Sequence, residues 1–365
     1  MRFIVDQALF IEKLNLVVGP TTTKQNFPVL NSVFISSAQN KLKIIATDLD
    51  VTIITHLEAN ILKEGSAAIP MKRLIAIIKE MPAGEINIEL TKNNLSIKCE
   101  KIEFKLAVLD AQEFPKIDEE KKASLIKLNP ETLEEMLRAT VYCAGYEDTN
   151  YVLNGILFEL EESKIKMIAT DGKRLAVIKK PLPSAQPAIE EKISFIMPSK
   201  AVNELNKLIK DHEGDVFLFV EENRVGFDFK GTQFIARPIE GEFPAYAQYI
   251  PAESKEKMVV SRENLLAALR RADLLSTPDY QGVKMEIKKD ALSVSKTTPQ
   301  LGEAKETMDV KYSGGPLTIG FNPGYLMDVL RNLSDDEVGL EFFGPDKPAV
   351  LRKEDYVYLV LPMKI

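Results

Sequence analysis

The chain is poor in the residues on which most catalysis depends. Two histidines, His56 and His212, and two cysteines, Cys99 and Cys143, are all that 365 residues provide. Neither histidine has another histidine or a cysteine at ligand spacing, which argues against a zinc site. The cysteines lie far apart in sequence, so no disulfide framework is implied and a reducing compartment is expected. No glycine-rich phosphate loop followed by Lys-Ser/Thr occurs, and no Gly-x-Ser-x-Gly elbow. No apolar run approaches the length of a membrane span, and no membrane partner is expected. The opening Met1-Arg2-Phe3-Ile4-Val5-Asp6 turns acidic too soon for a secretory leader, so the cytoplasm is the expected location. An excess of positive charge is also missing. The net charge of −7 speaks against a protein that grips nucleic acid by bulk electrostatics.

What the chain has is repetition. Ile69-Pro70, Met197-Pro198 and Asn322-Pro323 recur at intervals near one third of its length. Each opens a stretch with apolar residues at helical spacing. These are Leu74, Ile77, Ile78 and Met81; then Val202, Leu205, Leu208 and Ile209; then Leu326, Val329, Leu330 and Leu333. Upstream of each lies a pair of segments alternating at period two. Ser32-Val33-Phe34-Ile35 leads to Lys41 through Asp48, Gly155 through Leu160 leads to Lys164 through Asp171, and Val283 through Ile287 leads to Leu292 through Ser295. Such alternation predicts half-buried antiparallel strands joined by hairpins. Two further strands are predicted after each of these helices, as at 86–90 and 95–99 in the first copy and 216–220 and 225–229 in the second. A second set of helices is predicted at the start of each unit, near 6–18, 130–142 and 262–275, with Pro130 and Ser261 suited to helix starts. The fold class is therefore α+β: three similar domains, each with two helices packed on antiparallel sheet. Charged linkers at 117–122 and 251–257, each after a Phe-Pro dipeptide, divide the chain into 1–123, 124–250 and 251–365.

Only one carboxylate pattern invites a chemical reading. Ala46-Thr47-Asp48 recurs as Ala169-Thr170-Asp171. Asp48 and Asp171 could serve together as metal ligands or an acid/base couple in a metal-dependent hydrolase. Alternatively, both end the same strand of a repeat and accept hydrogen bonds from turn amides. Their equivalence, and the absence of the motif from the third copy, favour the structural role. The six predicted helices are close to charge balance, so the acidic excess sits in the strands and loops.

The second repeat carries Tyr151-Val152-Leu153-Asn154-Gly155-Ile156-Leu157-Phe158, then Ala169-Thr170-Asp171-Gly172-Lys173-Arg174-Leu175-Ala176, then Gly241-Glu242-Phe243-Pro244-Ala245-Tyr246. The third carries Tyr312-Ser313-Gly314, Gly320-Phe321-Asn322-Pro323-Gly324-Tyr325-Leu326 and the ending Tyr358 to Ile365. In order and spacing these motifs resemble the bacterial DNA sliding clamp, the beta subunit of DNA polymerase III, over nearly the whole chain. The resemblance implies a DNA clamp fold and a head-to-tail homodimeric ring that encircles duplex DNA and confers processivity without catalysis. It implies no cofactor and no metal. The implied partners are double-stranded DNA, a second copy of the chain, the replicative polymerase catalytic subunit, the clamp loader and other clamp-motif proteins. A peptide-binding repeat scaffold that encircles nothing is the alternative of a different class.

Carried over residue by residue, the resemblance implies three sets of positions. DNA-facing candidates are Lys24, Lys72, Arg73, Lys200, Lys207, Asn322 and Tyr325. Closure of the ring would set Phe104 and Leu106 of one subunit against Leu274 and Leu275 of the other. A groove for partner peptides would involve Leu153, Thr170, Gly172, Lys173, Arg174, Leu175, Pro244, Gln248, Tyr249, Pro348, Val360, Leu361, Pro362, Met363 and Lys364. Three of these depart from the usual pattern: Lys173 where histidine is frequent, Gln248 where a basic residue is common, and Tyr249 where an aliphatic one is usual. A ring would also reconcile an acidic chain with a DNA partner, because topological retention needs no tight phosphate contacts.

Overall fold

Each helix buries the apolar stripe that marks it in the sequence. The computed structural model describes residues 1–22, 27–117, 125–184, 189–210 and 212–364. Among these, the α-helices are α1 (Gln7–Val17), α2 (Met71–Glu80), α3 (Pro130–Thr140), α4 (Ser199–Ile209), α5 (Arg262–Asp273) and α6 (Pro323–Asn332). Leu74 and Ile78 of α2, Val202, Leu205 and Ile209 of α4, and Leu326, Val329 and Leu330 of α6 are all buried. Side chains cap several of the starts. Asp6 accepts from the Leu9 amide at 3.0 Å, Ser261 from Asn264 at 3.4 Å and Asn322 from Gly324 at 2.9 Å. The repeated prolines are not strictly equivalent. Pro70 and Pro198 end the strands that precede α2 and α4, whereas Pro323 is the first residue of α6 and Asn322 takes the cap. Both places suit a residue without an N–H.

All the strand ladders described are antiparallel, and they form four sheets. The hairpin from Ser32–Ala38 to Lys41–Thr47 turns on Gln39 and Asn40, both at positive φ, which matches the twist of a two-residue turn. Three short strands open the repeats ahead of α1, α3 and α5: Arg2–Asp6, Ile126–Leu128 and Lys257–Ser261. The linker predicted at 117–122 lies outside the described residues except for Ile117.

The chain packs as two compact units, Met1–Pro130 with Glu204–Pro238, and Glu131–Asn203 with Ile239–Ile365. The middle third of the sequence is divided between them, and the sheets supply the reason. Within the first unit, Thr232–Ala236 pairs with Val51–Glu58, so one eight-stranded sheet spans the join. Thr55 and Thr232 share a buried hydroxyl–hydroxyl hydrogen bond of 2.9 Å across it. Within the second unit, Arg174–Pro181 pairs with Tyr356–Val360, giving a nine-stranded sheet. Such distant pairings satisfy strand edges that would otherwise be open. Each unit adds a smaller sheet, of five strands in the first and four in the second.

Candidate functional site

The second unit holds a cavity of about 640 Å³, in the range of small-ligand and peptide sites. Its wall begins at the turn between strands Lys164–Thr170 and Arg174–Pro181. Thr170 Oγ1 accepts from the Gly172 amide at 3.1 Å and donates to the Arg174 carbonyl at 2.6 Å. Asp171 Oδ1 accepts from the amides of Lys173 and Arg174 at 2.9 and 3.0 Å. Gly172 sits at φ +78°, where a residue without Cβ is at no disadvantage. The floor is apolar, with buried Leu153, Leu175 and Leu359 packed in one cluster with Ile168, Ile196 and Val350. The segment after Ile239 closes a side with Pro244, Tyr246, Gln248, Tyr249 and Pro251, and Pro348 and Leu361 complete the lining.

Most of the residues expected in a groove therefore converge: Leu153, Thr170, Gly172, Lys173, Arg174, Leu175, Pro244, Gln248, Tyr249, Pro348 and Leu361 all line this cavity. Val360, Pro362, Met363 and Lys364 do not. Val360 is fully buried on the opposite face of its strand, because side chains alternate and Leu359 and Leu361 take the cavity side. Met363 is held along another strand, its amide donating to the Gly320 carbonyl at 2.9 Å. Sequence reasoning missed Tyr246, Pro251 and Leu359; the alternation along Tyr356–Val360 was the signal for Leu359.

The polar groups of the wall are fixed rather than free. Arg174 Nε donates to Asp171 at 2.9 Å and Nη1 to Asp328 at 2.7 Å, and its guanidinium lies 4.4 Å from the Tyr325 ring centre. Burial acts against this charge, yet the Asp328 hydrogen bond and the neighbouring acidic groups leave the Arg174 pKa raised. Tyr246 Oη donates to Glu159 at 3.1 Å, and burial, reinforced by that carboxylate, raises its pKa. Cys143 is fully buried, and burial pushes its thiol pKa up, which makes it an inert core group. Lys173 is exposed at the rim.

The turn at Asp48 repeats that at Asp171. Thr47 Oγ1 accepts from Leu49, and Asp48 Oδ1 from Asp50 and Val51 at 3.0 and 2.8 Å. Both carboxylates thus accept from turn amides, and this geometry is the structural role of the repeated motif. Among the described residues, no group of three or more His, Cys, Asp or Glu side chains could hold a metal ion.

The other candidate positions fall on helices and sheet edges. Lys72 and Arg73 are exposed on α2, and Lys200 and Lys207 on α4, where Lys207 pairs with Glu204 at 2.8 Å. Asn322 and Tyr325 are half-buried, the first as the cap of α6 and the second against Arg174. Lys24 lies outside the described residues. Strand Ile102–Ala107 is an open edge of the five-stranded sheet, with Phe104 41 % exposed and Leu106 half-buried. Strand Gly302–Asp309 is an open edge of the four-stranded sheet, and α5 beside it is followed at its end by Leu274, 81 % exposed, with Leu275 half-buried. No helix among the described residues is long and apolar enough to cross a membrane.

Repeated helix-and-sheet units, one of which carries a peptide-sized apolar cavity, are the architecture of a clamp. Residues 1–118, 127–245 and 247–364 match the N-terminal, central and C-terminal domains of the DNA polymerase III beta subunit. The beta sliding clamp of Pseudomonas putida is 28% identical over 370 residues, covering all of both chains. The solved structure of the DNA polymerase III subunit beta from Pseudomonas aeruginosa superposes with a TM-score of 0.93 at 26% identity, again over all of both chains. A sliding clamp from Bartonella birtlesii, solved bound to griselimycin, gives a TM-score of 0.93 at 29% identity over all of both chains. The chain belongs to the DNA polymerase III beta subunit family. It is a sliding clamp, a processivity factor with no catalytic activity of its own.

Proposed function

We propose that two copies of the chain close head to tail into a ring around duplex DNA, and that the cavity tethers partner proteins to it by short peptides. The observation that carries this reading is the pair of open sheet edges, Ile102–Ala107 and Gly302–Asp309, each flanked by exposed apolar side chains. Unpaired edges of this kind invite strand pairing with another chain, and a heterologous contact closes into a ring when its rotation permits. Phe104 and Leu106 of one copy then meet Leu274 and Leu275 of the next, and the three domains are 1–123, 124–250 and 251–365.

Lys72, Arg73, Lys200, Lys207, Asn322 and Tyr325 face the DNA and make weak contacts that permit sliding. The cavity takes a glutamine-bearing peptide with bulky apolar residues, presented by the replicative polymerase, the clamp loader and repair proteins. Its lining suits such a ligand: leucines and prolines below, and Thr170, Lys173, Gln248 and Tyr249 as polar anchors. The Bartonella clamp bound to griselimycin supports a ligand-accepting surface in this family. The protein works in the cytoplasm. The mass in solution tests the assembly: the account expects two chains of 40.9 kDa each at micromolar concentration. A single chain under those conditions would overturn it.

A further inference from the structure

Two residues of α6 hold the cavity wall without lining the cavity. Asp328 and Tyr325 are absent from the lining, yet both touch Arg174, which is part of it. The Arg174 side chain is only 11 % exposed, so its orientation depends on these partners rather than on water. Asp171 comes from the same tight turn and moves with it. Asp328 is the partner from elsewhere, 154 residues away on α6. The helix is itself anchored at this point, since Tyr358 Oη donates to the Tyr325 carbonyl at 2.7 Å. Wall and floor are locked together as well, the Leu361 amide donating to the Lys173 carbonyl at 2.9 Å.

We propose that α6 is the positioning element of the cavity: Asp328 and the Tyr325 ring fix Arg174, and through it the wall of Gly172, Lys173 and Arg174. This rests on the reading of the cavity as a peptide site. Without Asp328 the guanidinium loses its ion pair from the third repeat and keeps Asp171 of its own turn and the Tyr142 and Tyr325 rings, so the orientation of the Arg174 side chain is less tightly fixed. Preorganisation of the site is lost, and with it affinity.

The test uses the full-length protein and a fluorescein-labelled synthetic peptide containing glutamine, leucine and phenylalanine. Asp328→Ala is expected to raise Kd roughly five- to tenfold while oligomeric mass and far-ultraviolet spectrum stay unchanged. Asp328→Glu restores affinity to within about twofold of wild type, and Tyr325→Leu gives a smaller loss than Asp328→Ala. In an Arg174→Gln background Asp328→Ala has no further effect, because the residue it acts through is gone; a general loosening of the fold would not behave so. Wild-type affinity in folded Asp328→Ala, or losses that add fully with Arg174→Gln, would overturn the proposal. If Asp328→Ala does not fold, Tyr325→Leu decides, and unchanged affinity there overturns it. Failure of the wild type to bind any such peptide would instead overturn the peptide reading itself, and the inference with it.

Discussion

Leu49 and Gly172 occupy the same place in the same turn, but only one of them suits it. Leu49 lies at φ +79° and Gly172 at +78°, and in both turns the preceding threonine and aspartate make matching hydrogen bonds. A leucine pays in strain for that conformation, and at 56 % exposure it recovers little through burial. Leu49→Gly should therefore stabilise the protein by about 0.5–1 kcal/mol, read as a higher thermal midpoint, despite the added freedom of the unfolded chain. Asp171 gives the opposite expectation. Removing its carboxylate strips two amides of their acceptor and Arg174 of one partner, so Asp171→Ala should cost about 2–4 kcal/mol. Thermal denaturation checks the cost, and a metal-dependent hydrolysis that vanished in a folded variant would contradict the structural role. At this scale the sequence was legible where residues a few positions apart cooperate. Thr170, Asp171 and Gly172 form a local turn whose chemistry follows from their types. The Arg174–Asp328 bond spans 154 residues, and no periodicity points to it.

At the scale of elements, α5 and the edge strand Gly302–Asp309 are pinned together by a two-bonded pair, Arg271 Nε and Nη2 donating to Glu306 at 2.7 and 2.6 Å. These hydrogen bonds hold the Glu306 carboxyl below its usual range. A carboxylate with a depressed folded pKa contributes stability that is present above its unfolded value, about pH 4.3, and lost as pH falls through the folded one. The thermal midpoint of Glu306→Gln should accordingly lie below wild type at neutral pH and converge on it in acid. A difference that persists at pH 2 would show that the pair is not its source. Leu274→Asp next to this strand should convert a dimer to a monomer in sedimentation without loss of secondary structure, since the residue is already in water in the single chain. The helices were readable because burial follows a 3.6-residue spacing, and the hairpins because adjacent strands pair across short turns. The strands Arg2–Asp6, Ile126–Leu128 and Lys257–Ser261 were not. Short strands that run straight into a helix leave too few residues for alternation to register.

At the scale of the molecule, repetition in sequence does not become three separate bodies. The pairings of Thr232–Ala236 with Val51–Glu58 and of Arg174–Pro181 with Tyr356–Val360 fuse neighbouring repeats into shared sheets. No local pattern encodes such joins, because both partners look like ordinary strands until the chain is folded. The five- and four-stranded sheets, whose edges include Ile102–Ala107 and Gly302–Asp309, belong to the first and third repeats. Bulk electrostatics do not favour a chain of net charge −7 on an acidic polymer, whereas enclosure would retain it. The most direct test is retention on DNA. The protein is loaded by a clamp loader onto nicked circular DNA at moderate salt, and the DNA is then cut once. Enclosure predicts that it stays on the circle and is lost from the linear form. Equal retention on both, or equal loss from both, would contradict it.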